Sequence, residues 1–262
     1  MLNHFSWDNI STEAFETASS RIIVRKSPSI SRPARKYDRY SVPGRSGDIY
    51  IPQDAFDNYT QVYDLFLYTD EKGSELNELC EKIAAWLYTP NGYAELVDDH
   101  EDGYLRKAFF TGPFTVENDL TIFGRTTITF NCRPERFLKA GNDSIPGDEW
   151  LSLTNPTRQI ARPIVDIEIP VSFSGIKIQT LYDTVTKTWI YTKQIGATHL
   201  TVDSDARAWM TEVPYAGKNV TLNGEMPLLR EGETLVNVIG LDASNNELTM
   251  PDWTITPRWW TL

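Results

Sequence analysis

The chain has 262 residues, 40% of them hydrophobic and 12% aromatic, and a formal net charge of −11. That length allows two ordinary domains or one large β domain, with enough apolar residues for a real core. The acid excess argues against nucleic acid as the main partner, and no run of about 18 apolar residues marks a membrane-spanning helix.

The first residues, Met-Leu-Asn-His-Phe-Ser-Trp-Asp, lack the basic start and apolar core of a signal peptide, so neither export nor membrane insertion is expected. Two cysteines, Cys80 and Cys132, form neither a disulfide framework nor a zinc pattern. Both read as small core residues of a protein made in a reducing cytoplasm.

In chain order, residues 1–20 are polar with scattered aromatics, suited to adding a strand to an edge or pinning onto a neighbour. Arg21–Arg25 reads as a short strand. A basic arm follows. From Arg21 to Arg45 eight Lys or Arg (Arg21, Arg25, Lys26, Arg32, Arg35, Lys36, Arg39, Arg45) face one acid, Asp38. The arm therefore carries +7 and the rest of the chain −18. Pro28 and Pro33 interrupt any helix there. Too few apolar residues are present to offset the ordering entropy within one chain. The reading is a solvated loop, or a strap from Ser27 to Tyr40 lying on the acidic surface of a neighbouring copy. Arg32, Arg35, Lys36 and Arg39 are its contact residues.

Pro43-Gly44 closes the arm with a turn, since proline presets φ and glycine supplies a positive φ. Gly47 adds a second free point, and Arg45 is displayed between them. Tyr59 to Tyr68 has the pattern of a strand covered on both sides. A helix is expected after Ser74, its N-cap, with Glu75 and Glu78 in the first turns. Leu76, Leu79, Cys80, Ile83 and Leu87 make one apolar stripe, and Pro90-Asn91-Gly92 stops it. Tyr93 to Phe114 reads as strands around a turn at Asp98–Gly103. Leu120 to Cys132 is the cleanest strand pattern, with Leu120, Ile122, Ile128, Phe130 and Cys132 on one face.

These features predict a mainly β protein. Residues 1–138 form a β-rich domain with one α-helix at about 74–88. Residues 139–149 are turn-forming and polar, a linker. Residues 150–262 form a β-sandwich, with strands at Ile164–Ile169, Ile176–Leu181, Thr188–Thr192, His199–Asp203, Asn219–Asn223, Glu233–Gly240 and Trp253–Thr256.

The ordered set Pro43-Gly44-Arg45-Ser46-Gly47-Asp48, Tyr104 to Phe114, Phe130-Asn-Cys-Arg-Pro134, Leu200-Thr-Val-Asp-Ser-Asp205, Leu229 to Gly240 and Ile255-Thr-Pro-Arg-Trp259 resembles the distal tail protein family of long-tailed siphophages. The family often has an acid where Ser46 stands. The resemblance implies a hexameric ring at the phage tail tip, assembled in the bacterial host cytoplasm and carried in the virion. The N-terminal domains would build the ring, and a galectin-like sandwich would project from it. Tail-tube, tape-measure and tail-tip or adhesion proteins would be its partners. The interface residues would be Arg32, Arg35, Lys36, Arg39, Pro43, Gly44, Arg45 and Gly47.

A second reading is a carbohydrate-binding sandwich contacting the host surface. In it Trp209, Trp253, Trp259 and Trp260 stack on sugars; their alternative role is core and interface packing. Asp98, His100 and Asp102 before Gly103 imitate the start of a calcium loop, but Phe109 stands where the closing acid is needed. His199, Asp203 and Asp205 form a second polar cluster on one strand face. No nucleophile elbow, phosphate loop or dinucleotide fingerprint occurs. No catalytic residue, metal or cofactor is therefore assigned, and the chain is expected not to be an enzyme.

Overall fold

The structure is a computed structural model that describes residues 4–25, 31–70, 74–120, 122–211 and 223–262. It divides into two units, one of residues 1–136 with Leu262 and one of residues 137–261.

The first unit opens with short strands β1 (Phe5–Trp7) and β2 (Ile10–Ser11), then β3 (Ser20–Arg25). Strands β4 (Arg35–Tyr40) and β5 (Ile49–Phe56) follow, then the long β6 (Tyr59–Thr69). Helix α1 spans Ser74–Tyr88. Strands β7 (Ala94–Asp98), β8 (Tyr104–Phe110), β9 (Val116–Leu120) and β10 (Phe123–Leu138) complete it. The main sheet runs β2-β1-β7-β8-β10-β6-β3, and β9 pairs with β10. In β6 every second residue from Tyr59 to Thr69 is buried, the period-2 signature of a sheet with one covered face. Leu76, Leu79, Ile83 and Leu87 of α1 supply the cover, packing in one core with Tyr63, Leu65, Leu67, Ile128 and Phe130. The side chain of Ser74, the expected N-cap, lies outside the described residues.

Residues 4–15 add strands β1 and β2 to the end of the sheet, the first of their two expected roles. Phe5 and Trp7 alternate inward from β1, which pairs with β7, and they stack around Trp86 and Phe130 in the core. Three expectations for this half change. Strand β6, expected to be covered on both sides, is covered on one face only. The strand expected from Leu120 is a hairpin: β9 ends at Leu120 and β10 begins at Phe123. The basic arm is not a single-stranded strap. From Arg35 it is one strand of a separate two-stranded sheet.

In the second unit residues 139–149 are not a free linker. They hold a 3-10 turn at Lys139–Gly141 and a strand, β11 (Ile145–Pro146), paired to β20. The sandwich strands are β12 (Leu151–Asn155), β13 (Ile164–Glu168), β14 (Gly175–Tyr182), β15 (Val185–Thr192) and β16 (His199–Asp203). They continue with β17 (Ala208–Met210), β18 (Asn223–Gly224), β19 (Gly232–Leu241) and β20 (Trp253–Thr256), while β21 (Trp260–Thr261) belongs to neither sandwich sheet and pairs with β10. Of the strand expected at Asn219–Asn223, residues 219–222 lie outside the described residues. Two five-stranded sheets form, β11-β20-β13-β16-β17 and β12-β19-β14-β15-β18. Val165, Ile167, Leu200, Val202 and Ile255 of one meet Ile176, Ile178, Tyr191, Val236 and Val238 of the other in one core. Alternation along β12, β13, β16 and β20 supports this arrangement.

Candidate functional site

The hairpin of β4 and β5 is the feature that the folds of the two units do not use. Its register pairs Tyr40 with Ile49, Arg39 with Tyr50, Asp38 with Ile51 and Tyr37 with Pro52. Directly paired residues share a face. One face therefore carries Tyr40, Ile49 and Ile51 beside Asp38, and the other Tyr37, Tyr50 and Pro52 beside Arg39. Tyr37 and Tyr50 rest on each other with centroids 4.9 Å apart. The large apolar residues stay open to solvent: Tyr37 is 51%, Tyr40 55%, Tyr50 53% and Ile51 47% exposed. An isolated two-stranded hairpin is marginal in water, so a hairpin this apolar on both faces is built to be covered.

Its turn is the one expected from the sequence. Arg45 N–H donates to the Val42 carbonyl at 3.1 Å across Pro43-Gly44. Gly44 has φ +80°, where proline before a positive-φ glycine makes a type II turn. Gly47 repeats the positive φ, at +81°. Arg45 projects from this tip in the open.

The four arm cations meet groups of their own chain. Arg32 Nη2 is 3.4 Å from Glu101 Oε1, Lys36 Nζ 3.6 Å from Asp57 and Arg39 Nε 3.2 Å from Asp48. Arg35 lies over the Phe56 ring at 5.5 Å. The sequence count of +7 missed this compensation, because Asp48, Asp54 and Asp57 come after Arg45. These contacts are exposed and contribute at most about 1 kcal/mol each.

Arg32 leads to a buried ionic network. Glu101 also pairs with Arg136 Nη1 at 2.7 Å and with Arg106. Arg106 donates to Asp98 Oδ2 at 3.0 Å and to the Tyr59 hydroxyl at 3.1 Å. Tyr63 donates to the same Asp98 oxygen. Asp98 Oδ1 caps the following 3-10 turn through the His100 and Glu101 N–H groups. Burial alone lowers the Arg106 pKa, but Asp98, Tyr63, Tyr59 and Glu101 outweigh it and leave it above the usual arginine value. Burial pushes the Tyr63 hydroxyl well above its ordinary range, and Asp98 adds to the rise. The Asp98–Gly103 segment that imitates a calcium loop thus spends its first carboxylate on Arg106, Tyr63 and the turn. Among the described residues no group of three or more His, Cys, Asp or Glu is placed to hold a metal.

In the second unit the cluster expected at His199, Asp203 and Asp205 separates. β16 ends at Asp203, so alternation does not govern Asp205. Asp203 and Asp205 converge on Arg258, at 2.9 and 3.4 Å, while His199 lies 3.6 Å from Asp166. The four tryptophans also separate. Trp253, paired with Ile167 on the core side, is 5% exposed and Trp259 6%, so neither can lay a ring on a sugar. Trp209 packs against Tyr191 at 5.2 Å, and Trp260 Nε1 donates to the Ile160 carbonyl.

Sequence reasoning missed the exposed apolar residues of the hairpin and the Asp98–Arg106–Glu101–Arg136 network. A signal for the first was present: Tyr37, Tyr40, Ile49, Tyr50 and Ile51 put large apolar residues on both sides of a Pro-Gly turn. The second joins residues far apart in the chain and leaves no local pattern.

No family model matches the chain, and no curated protein matches it. Among solved structures it is similar to the SPP1 Dit (gp 19.1) protein, described as a paradigm of the hub adsorption apparatus in Gram-positive infecting phages. The superposition has a TM-score of 0.66 and covers 97% of this chain and 98% of that one, at 11% identity. Through both of its units this chain therefore has the fold of the Dit hub protein.

Proposed function

We propose that this chain is a structural protein of a phage tail tip, carried in the virion, whose copies close into a hexameric ring. The observation that carries the reading is the fold shared with a phage hub protein over nearly the whole of both chains. The ring joins the tail tube and tape-measure protein on one side to tip or adhesion proteins on the other, and it acts without catalysis.

Two features of the first unit support assembly. The hairpin holds exposed tyrosines and isoleucines clear of its own cores. Strand β3 ends the main sheet, where its outer edge is open to pairing. Closed rings cover such edges and such patches without leaving a free end. The turn residues Pro43, Gly44, Arg45 and Gly47 then belong to the contact between copies, with the hairpin faces as its apolar part.

Imaging of the purified protein by negative stain tests the reading. Closed rings of one size, which bind tail-tube protein in a pull-down, are expected. Single particles that never close, with or without tail-tube protein, would overturn it.

A further inference from the structure

Two Asn-Gly pairs occur in the chain, Asn91-Gly92 and Asn223-Gly224. An asparagine carboxamide is open to attack by the backbone nitrogen of the residue after it. A side chain on that residue crowds the approach, and glycine has none. Every other asparagine here precedes a residue that carries a side chain.

The fold treats the two pairs differently. Asn91 and Gly92 lie between the end of α1 at Tyr88 and the start of β7 at Ala94, in neither helix nor strand. Both are exposed. Gly92 has φ +124°, and a Cβ placed on it would meet nothing within 4 Å. The backbone at this point therefore has open space around it. Asn223 and Gly224 instead form β18, and they pair with Ile190 and Trp189 of β15. A Cβ on Gly224 would fall 1.9 Å from the Thr188 carbonyl oxygen. That backbone lies tight against a neighbouring strand. Turning the Asn223 carboxamide onto the next nitrogen requires the strand pair to open first.

We propose that Asn91 is a modification site of the folded protein, deamidating through a succinimide, and that strand pairing shields Asn223. The reaction needs only water and hydroxide. The Gly92 N–H gives its proton to hydroxide, and the nitrogen attacks Asn91 Cγ. The bond from Cγ to Nδ2 breaks, and the side-chain nitrogen leaves as ammonia after taking a proton from water. A cyclic imide remains. Water then opens it at either carbonyl. Breaking the new bond to Cγ gives aspartate. Breaking the original peptide bond gives isoaspartate, whose main chain runs through the former side chain. Nothing is oxidised or reduced. Isoaspartate inserts one extra backbone carbon between Trp86 and Ala94, which are both anchored in the core. The proposal goes beyond the ring reading and does not rest on it.

Peptide mass spectrometry of the full-length protein tests it. Trypsin cuts after Lys82 and Arg106, and Asn91 is the one residue between them with a carboxamide side chain. A deamidated mass for that peptide is therefore assigned to Asn91. Fragment ions separate Asn223 from Asn219 in the peptide ending at Arg230. Samples are aged at mildly alkaline pH, native and in urea, beside an unaged control. In the native protein Asn91 should convert at least about ten-fold faster than Asn223, and faster still as the pH is raised. In urea the two should convert at similar rates. Asn91→Gln should remove the isoaspartate that an isoaspartyl methyltransferase labels in the aged native protein, because glutamine must close a larger ring. Asn91 that converts in urea but stays intact in the native protein overturns the proposal. So does conversion of both sites at one rate in the native protein, an Asn223 as inert in urea as when folded, or a methyl label that survives Asn91→Gln.

Discussion

The Tyr63 hydroxyl donates to Asp98 Oδ2 at 2.7 Å, and Arg106 Nη1 reaches the same oxygen at 3.0 Å. One carboxylate thereby ties the central strand β6 to β8 and, through its other oxygen, fixes the turn between β7 and β8. Asp98 and Arg106 are both nearly inaccessible, so removing either breaks a buried ion pair: without Asp98, Arg106 keeps only Glu101, and without Arg106, Asp98 loses the cation it faces.

Asp98→Ala is therefore expected to destabilise the first unit by about 3–5 kcal/mol, the range for breaking one partner out of a buried pair. Tyr63→Phe loses one hydrogen bond to a charged group and should cost about 1.5–3 kcal/mol. Urea denaturation followed by tryptophan fluorescence measures both. A loss below about 1 kcal/mol for Asp98→Ala would mean that the network is solvated in solution.

Alkaline pH should unfold the protein through groups held neutral in the core. Burial pushes the Cys132 thiol from 9.0 up to about 12, and Tyr63 rises well above 10.0. Between those values the unfolded chain has released protons that the native state still holds, so stability falls as pH rises. Both contributions are fully present below pH 9. The decline begins near pH 9 for Cys132 and near pH 10 for Tyr63. Cys132→Ala should flatten the slope of stability against pH from 9 to 12. An unchanged slope would remove Cys132 from the account.

Gly44 sits at φ +80° with open space around it, so an added methyl group meets no neighbour and acts only through the backbone. Gly44→Ala should cost about 1–2 kcal/mol locally. Because no core residue contributes to the hairpin, the expected outcome is weaker assembly at an unchanged monomer melting temperature. A lowered monomer melting temperature would show that the hairpin supports its own unit.

Trp253→Ala is expected to destabilise the second unit by about 3–5 kcal/mol, as for other large core truncations. Gly147 packs directly on its indole: a Cβ there would fall 2.0 Å from the ring. Gly147→Ala should thus also destabilise, by about 1–3 kcal/mol. Calorimetry resolves these losses. A Trp253→Ala protein that melts normally but loses glycan retention would return this residue to a sugar site.

The strands of the second half were legible because each alternates: Ile164–Glu168, His199–Asp203 and Trp253–Thr256 need only a period of two. The α1 stripe was legible for the same reason at a period of 3.6. The β12 strand, Leu151–Asn155, also alternates, but it is short and polar and directly follows the turn-rich residues 139–149, so it does not stand out among the expected strands of the sandwich. Charge misled more than pattern did. Arg32, Lys36 and Arg39 looked unpaired along the chain, and their partners Glu101, Asp57 and Asp48 arrive only when the hairpin and the main sheet form. Tryptophan identity alone does not decide between core packing and a sugar surface. Trp253 and Trp259 face inward through register, which composition does not carry.

The central claim is that copies of this chain close into a ring through the hairpin of β4 and β5. Mass photometry across a dilution series, for the wild type beside a Tyr40→Lys, Ile51→Lys double variant, tests it most directly. The account predicts a single closed oligomer for the wild type that gives way to monomer on dilution. It predicts monomer alone for the variant at concentrations where the wild type is assembled, with equal thermal melts when both are monomeric. A wild type that remains monomeric at every concentration, or a variant that assembles as the wild type does, would contradict it.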